Sequence, residues 1–189
     1  MNLIFKEAYS LILSELEKSL SRIFEKEVDY LITRIIETKN IFVVGAGRMG
    51  LMLQSFSMRL CHLGFGSHVA GFINCPPITP EDLLLVTSSS GETSTVKEIV
   101  KKANDAGAEI ITITAKTKST IAKLSSKTVY LEAPSALKKD LDHNLVSRQP
   151  MKTLFEQSLF ILLESMVLQI MKKTNQKADD LAGRHANLE

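Results

Sequence analysis

Hydrophobic residues recur at helical spacing through the first forty positions. Leu13, Leu16, Leu20 and Ile23 alternate with Glu15, Glu17, Lys18 and Arg22. Val28, Leu31, Ile32, Ile35 and Ile36 form a second stripe on the i, i+3, i+4, i+7, i+8 rule, broken by Thr38-Lys39-Asn40. A hairpin of two helices is the simplest expectation. The rhythm then changes. Ile41-Phe42-Val43-Val44 is a short apolar strand pattern running into Gly45-Ala46-Gly47, and Met52, Phe56, Leu60 and Leu63 stripe the following helix up to Gly64. Ser67 to Ala70 predicts a weak strand, after which Pro76, Pro77 and Pro80 exclude a central ladder. Leu83 to Thr87 predicts a buried strand that ends in Ser88-Ser89-Ser90-Gly91-Glu92-Thr93. Val96, Ile99, Val100 and Ala103 form the next helical face, closed by Gly107. Glu109 to Thr114 and Thr128 to Leu131 predict further strands, with a short helix around Ile121 and Leu124 between them.

Strands alternating with helices of this length predict an α/β fold, a parallel sheet covered on both faces. Ala133 to Gln149 lacks periodicity and reads as a loop, Met151 to Lys173 as a long, largely buried helix, and Lys177 to Leu181 as another short one. One domain is expected, with N-terminal helices over 1–38, an α/β core over 39–149, and C-terminal helices and tail over 150–189. The chain has 189 residues, 44% of them hydrophobic, which suits one substantial core. Lys and Arg number 23 against 21 Asp and Glu, so no concentrated basic face for nucleic acid is expected. The apolar run Leu159 to Met171 is interrupted by Glu164, Ser165 and Gln169 and reads as too short to span a bilayer. Cys61 and Cys75 form no C-x-x-C pair and read as reduced thiols of a cytoplasmic protein, with Cys61 in the core.

Two strand-to-helix turns carry candidate chemistry. Gly45-Ala46-Gly47-Arg48-Met49-Gly50 satisfies G-x-G-x-x-G in the context a dinucleotide fold requires. That fingerprint also wants an acid about twenty residues on, yet no Asp or Glu occurs between Gly50 and Glu81. Three readings stand: a dinucleotide site, a turn that only packs helix on strand, and a sugar-phosphate site at a helix N-terminus. The second turn, Ser88 to Thr93, gathers hydroxyls, a glycine and free N–H groups at the positive end of a helix dipole, which suits a phosphate dianion. Ordinary capping is the competing reading, since Thr95 and Glu98 have capping-box spacing. One cap needs one hydroxyl, however, and Ser88, Ser89, Ser90, Thr93, Ser94 and Thr95 supply six.

Glu156 sits among Leu154, Phe155 and Leu159, where desolvation would tune a carboxylate towards general-base work. Thr153 and Glu156 also have capping-box spacing, and spacing alone favours the cap. His185, near the chain end, reads by itself as solvated tail. His62, His68 and His143 show no metal-ligand spacing, and there is no G-x-S-x-G elbow.

Taken together these segments resemble the sugar isomerase (SIS) domain family, and within it the 6-phospho-3-hexuloisomerases. The resemblance runs through Val44-Gly45-Ala46-Gly47-Arg48, Met58 to Phe65, Pro76-Pro77, Asp82-Leu83-Leu84, Ser90-Gly91-Glu92-Thr93, Gln149-Pro150-Met151, Leu154-Phe155-Glu156-Gln157 and Arg184 to Glu189. It implies a five-stranded parallel sheet in a three-layer, flavodoxin-like α/β/α fold, assembled as a homotetramer. It implies interconversion of D-arabino-hex-3-ulose 6-phosphate and D-fructose 6-phosphate, a step of formaldehyde fixation by the ribulose monophosphate pathway, with no metal or organic cofactor. By motif position the serine loop (Ser88, Ser89, Ser90, Gly91, Glu92, Thr93) with Gly47 and Arg48 would hold phosphosugar, Glu156 would be the base, and His185 would open the ring or shuttle protons. Ser89, Phe72, Met49 and Lys152 stand where the family more often has Gly, Glu, Ser and Gly. These departures leave open another phosphosugar as substrate, for an isomerase or a non-catalytic sensor. An NADP-dependent reductase, with Arg59, Ser67 or His68 receiving the 2′-phosphate, is the other alternative. A C-terminal tail rarely completes its own subunit's pocket, so His185 is expected to reach a neighbour's site in an obligate oligomer.

Overall fold

Five parallel strands lie in the order β2-β1-β3-β4-β5: β1 Asn40–Gly45, β2 Gly66–Val69, β3 Leu83–Thr87, β4 Glu109–Thr114 and β5 Lys127–Tyr130. The structure is a computed structural model that describes residues 4–134 and 145–188. β3 is central, and all five of its residues are buried, as an apolar strand covered on both faces requires. Its even-numbered side chains, Leu84 and Val86, pack with Val96, Val100 and Ala103 of α4 (Ser94–Asp105). Leu83 and Leu85 face the other way, into the larger core made with α3 (Arg48–His62) and α6 (Thr153–Lys173).

The expected elements are found, with shifts of one or two residues at their ends. α1 (Phe5–Leu20) and α2 (Glu25–Glu37) pack chiefly on α6 rather than on each other, so the expected two-helix hairpin is opened around a third helix. α1 keeps most of its expected face, with Leu16 in the core and Leu20 and, just past the helix, Ile23 packed against it. Leu13 is exposed, while Glu15, Leu16 and Ser19 are buried, because this helix meets polar backbone as well as core. Cys61 is exposed rather than core, since Leu60 and Phe56 occupy the inner face of α3. α6 has 21 residues and is long and apolar enough to cross a bilayer, longer than the apolar run suggested. Its most apolar window is 56% buried inside the fold, where Phe155, Leu159 and Met166 belong to the larger core. Burial of such side chains contributes about 2 kcal/mol each. α5 (Thr120–Leu124) and α7 (Ala178–Ala182) are single short turns. Of the expected loop 133–149, residues 135–144 lie outside the described residues, as does His143; the described flanks form no helix or strand.

Candidate active site

The strand order reverses between β1 and β3, whose chains leave the sheet side by side, Gly45 paired in register with Thr87. In open α/β sheets such a switch point is where ligands bind. Both candidate turns lie there. Two glycines of the first turn divide the earlier readings between them. A Cβ on Gly50 would stand 2.6 Å from the Gly45 carbonyl oxygen, so this glycine packs the helix on the strand. Gly47 has φ +59° and open space where a side chain would project, which leaves its backbone accessible at the mouth of α3.

The serine loop is held by its surroundings. Gly91 N donates to Ser88 Oγ at 3.0 Å, and the Ser88 and Thr93 hydroxyls lie 3.2 Å apart. The Ser89 carbonyl accepts from Ala115 N at 3.2 Å, and the Gly91 carbonyl from Ile121 N at 3.2 Å. Gly91 has φ +63°, and a Cβ there would overlap the Ser119 hydroxyl. Glu92 accepts from Thr120 N at 2.8 Å and meets Lys97 at 3.4 Å. The Thr120 backbone and side-chain bonds hold its carboxyl below the usual range. The expected cap at Thr95 is absent: Thr93 is the N-cap and makes no side-chain cap bond. Ser90 and Thr93 therefore remain at the entrance of α4 with their hydroxyls unspent on capping. Buried Thr87 Oγ1, just before the loop, has no hydrogen-bond partner.

Glu156 is brought to the same edge of the sheet. Its carboxylate, 12% exposed, accepts from Arg48 Nε at 2.5 Å, and the Arg48 side chain is 57% exposed. The capping reading fails here for a positional reason. Thr153 is the first helical residue, not the cap, and its hydroxyl donates to Pro150 O at 2.7 Å. Nor is the carboxylate isolated among apolar neighbours, since a guanidinium shares the mouth of the site. Met151, two residues before the helix, has φ +52°, a strained conformation for a side-chain-bearing residue.

His185 is not brought to Glu156. Its ring lies 5.1 Å from that of His62, at the far end of α3 from Arg48. Arg184 pins the tail there, donating to His62 O at 2.9 Å. A helix of 15 residues puts the two ends roughly 20 Å apart. A separate cavity of 870 Å³ flanks the serine loop, lined by Ser90, Glu92, Lys116, Lys118, Tyr130 and Glu27 among others. It touches neither Arg48 nor Glu156, and the switch point carries the convergent chemistry. Among the described residues no group of three or more His, Cys, Asp or Glu is placed to hold a metal ion.

One polar cluster escaped the sequence reading. The Glu15 carboxylate of α1 is buried and accepts from Ser147 Oγ at 2.6 Å, Arg148 N at 2.8 Å and Gln149 Nε2 at 3.0 Å. Nothing in its local spacing distinguishes Glu15 from the solvated Glu17.

Residues 34–138 match the SIS domain family model. The chain is a SIS-domain protein. A protein from Bacillus subtilis named 3-hexulose-6-phosphate isomerase is 35% identical over 178 residues, covering 94% of this chain and 95% of its own length. A protein of the same name from Mycobacterium gastri is 39% identical over 180 residues, covering 95% and 89%. The crystal structure of a hypothetical protein from Methanococcus jannaschii, from which a 3-hexulose-6-phosphate isomerase function was inferred, superposes with a TM-score of 0.82. It is 33% identical in sequence, over 97% of this chain and 99% of that one. The SIS domain assignment matches the five-stranded parallel architecture.

Proposed function

We propose that this protein is a phosphosugar isomerase that interconverts D-arabino-hex-3-ulose 6-phosphate and D-fructose 6-phosphate. The observation that carries this reading is the buried Glu156 carboxylate, 2.5 Å from Arg48 at the switch point beside the serine loop. The near full-length likeness to proteins named 3-hexulose-6-phosphate isomerase supports the choice of sugar.

The chemistry follows from what a carboxylate can do there. Moving the carbonyl from C3 to C2 starts with removal of the proton on C2, which Glu156 takes. The electron pair forms the C2–C3 double bond of a cis-enediolate, and Glu156 returns the proton to C3. The proton on O2 leaves as O3 gains one, so no electron acceptor is needed. Arg48 offers positive charge to the enediolate oxygens. Ser88, Ser90 and Thr93, with the loop backbone from Ser89 to Glu92 and at Gly47, anchor the phosphate, and that remote binding holds C2 against the base.

His185 suits the O2-to-O3 transfer. Its place at the far end of α3 supports delivery by a neighbouring subunit rather than its own. Leu13, Leu51, Met58, Ile161 and Leu168 are exposed on the helices of that layer, which supports burial against further copies in a homotetramer. The reading also makes the protein a cytoplasmic, single-domain enzyme working without a cofactor in formaldehyde fixation. The test is a coupled assay with fructose 6-phosphate and hexulose-phosphate synthase, run beside other phosphosugars. Turnover of fructose 6-phosphate well above the others is expected, and a clear preference for another sugar would overturn the substrate. Co-refolding Glu156→Gln with His185→Ala tests the assembly. Mixed oligomers should regain part of the activity, and none would be regained if both residues served one subunit.

A further inference from the structure

α1 grips both ends of the segment that joins β5 to α6. At the entry, Ser19 Oγ, fully buried, donates to Glu132 O at 2.6 Å, and Arg22 just beyond the helix meets the Glu132 carboxylate at 2.8 Å. At the exit, the Glu15 carboxylate takes the three donors from Ser147, Arg148 and Gln149. Glu15, Ser19 and Arg22 stand at i, i+4 and i+7, so one helix face makes both grips. A carboxylate that is 5% exposed and takes its three hydrogen bonds from three consecutive residues is a costly way to hold a loop. Burial pushes this carboxyl up, but the bonds from Arg148 N, Ser147 and Gln149 and the Arg148 charge outweigh it, holding it below the usual carboxylate range.

The exit grip is coupled to the candidate base by a short, stiff path. Gln149 is followed by Pro150, whose carbonyl accepts both Thr153 N at 3.1 Å and Thr153 Oγ1 at 2.7 Å. Pro150 has a fixed φ, and Met151 is held at φ +52°. The first turn of α6, with Glu156, follows directly.

We propose that Glu15 is a positioning residue for the isomerisation: by fixing Ser147–Gln149 it sets the first turn of α6, and so the Glu156 carboxylate. This rests on the reading of Glu156 as the base. Glu15 touches neither Arg48 nor the serine loop, so it governs the placement of the base and not the phosphate.

Glu15→Gln keeps the size of the side chain and leaves one acceptor oxygen for three donors. Assayed on fructose 6-phosphate at a temperature where circular dichroism shows it folded, it should lose about tenfold to a hundredfold in kcat, the scale of a misplaced group. KM should stay within about twofold, because the phosphate contacts are untouched. Ser147→Ala, which removes one donor from the other side, should shift kcat the same way by less and guards against a misfolded Glu15 variant. In a Glu156→Gln background Glu15→Gln should cost little more, since its effect passes through that carboxylate. A lower Tm with unchanged kcat, or a raised KM with unchanged kcat, would overturn the proposal. So would a kcat loss that persists in full in the double variant, with the base assignment still standing. Wild-type turnover in Glu156→Gln alone would instead remove the base, and the positioning role with it.

Discussion

Replacing Glu156 by Gln separates chemistry from packing, because the structure gives the two very different magnitudes. Glutamine fills the same volume and still offers Arg48 an acceptor oxygen, so no cavity forms. What is lost is the ionic part of a pair whose arginine is 57% exposed and free to turn to water. Exposed pairs are worth about 0–1 kcal/mol, so a stability loss of about 1 kcal/mol is the upper expectation. For a chain of this length that is a fall in Tm of about 2–4 °C. Turnover should fall far more. Amide nitrogen and oxygen cannot accept a proton from carbon, and loss of a positioned base costs about 10²–10⁴ in kcat. The assay is the coupled conversion of fructose 6-phosphate, with thermal melting of the same sample and binding measured by protection against melting. Protection should persist, since the serine loop is unchanged. Activity within a few-fold of wild type, together with a Tm drop of several degrees, would refute the reasoning and return Glu156 to a structural role. Glu164, eight residues along the same helix, is the control and should matter little.

Ser90→Ala and Thr93→Ala should raise KM for phosphosugars with little change in kcat, and free fructose should turn over poorly; equal rates on free and phosphorylated sugar would remove the phosphate assignment. Gly91→Ala forces a Cβ into the Ser119 hydroxyl at φ +63°, which should cost about 3 kcal/mol and lower Tm by roughly 10 °C. Adding Ser119→Gly should recover only part of this, because the backbone strain remains; an unchanged Tm in the single variant would contradict the geometry. Asp82 is buried, which pushes its carboxyl up, but bonds from Asn40 and Thr79 and the Lys39 charge outweigh that and hold it below the usual range. Its contribution is therefore present above the unfolded value near pH 4 and is lost as pH falls through the lower folded value. Urea midpoints of Asp82→Asn should be lower than wild type at pH 7, with the gap narrowing as pH falls below the unfolded value; parallel curves would show that Asp82 is not linked to folding.

The elements were legible where a repeat of 2 or 3.6 residues dominates. β3 and β4 match their expected bounds, because an unbroken apolar run between turn residues has few other readings. The serine loop was legible for a similar reason: six hydroxyls exceed what one cap can use. The Glu156 assignment was not decided by spacing, since one residue in the start of α6 separates a capping box from a side chain aimed at Arg48. Glu15 was hidden entirely. Its partners lie more than 130 positions away, and no local pattern records a contact across that separation. The burial of Glu15 and Ser19 beside the expected apolar face of α1 follows from the same cause, for both turn inward to meet partners more than 110 positions away.

The anchoring of the serine loop changes where conformational entropy is lost. Ser88 to Thr93 is tied by main-chain bonds to Ala115 and Ile121 and by Glu92 to Thr120, all within the protein itself. Fixing six such residues costs on the order of 6–12 kcal/mol, at about 1–2 kcal/mol each. Here that ordering accompanies folding rather than the arrival of a ligand. A sugar phosphate of few atoms, which has little surface to offer, then meets a cradle already in shape and keeps nearly all of its interaction energy for orientation at C2 and C3.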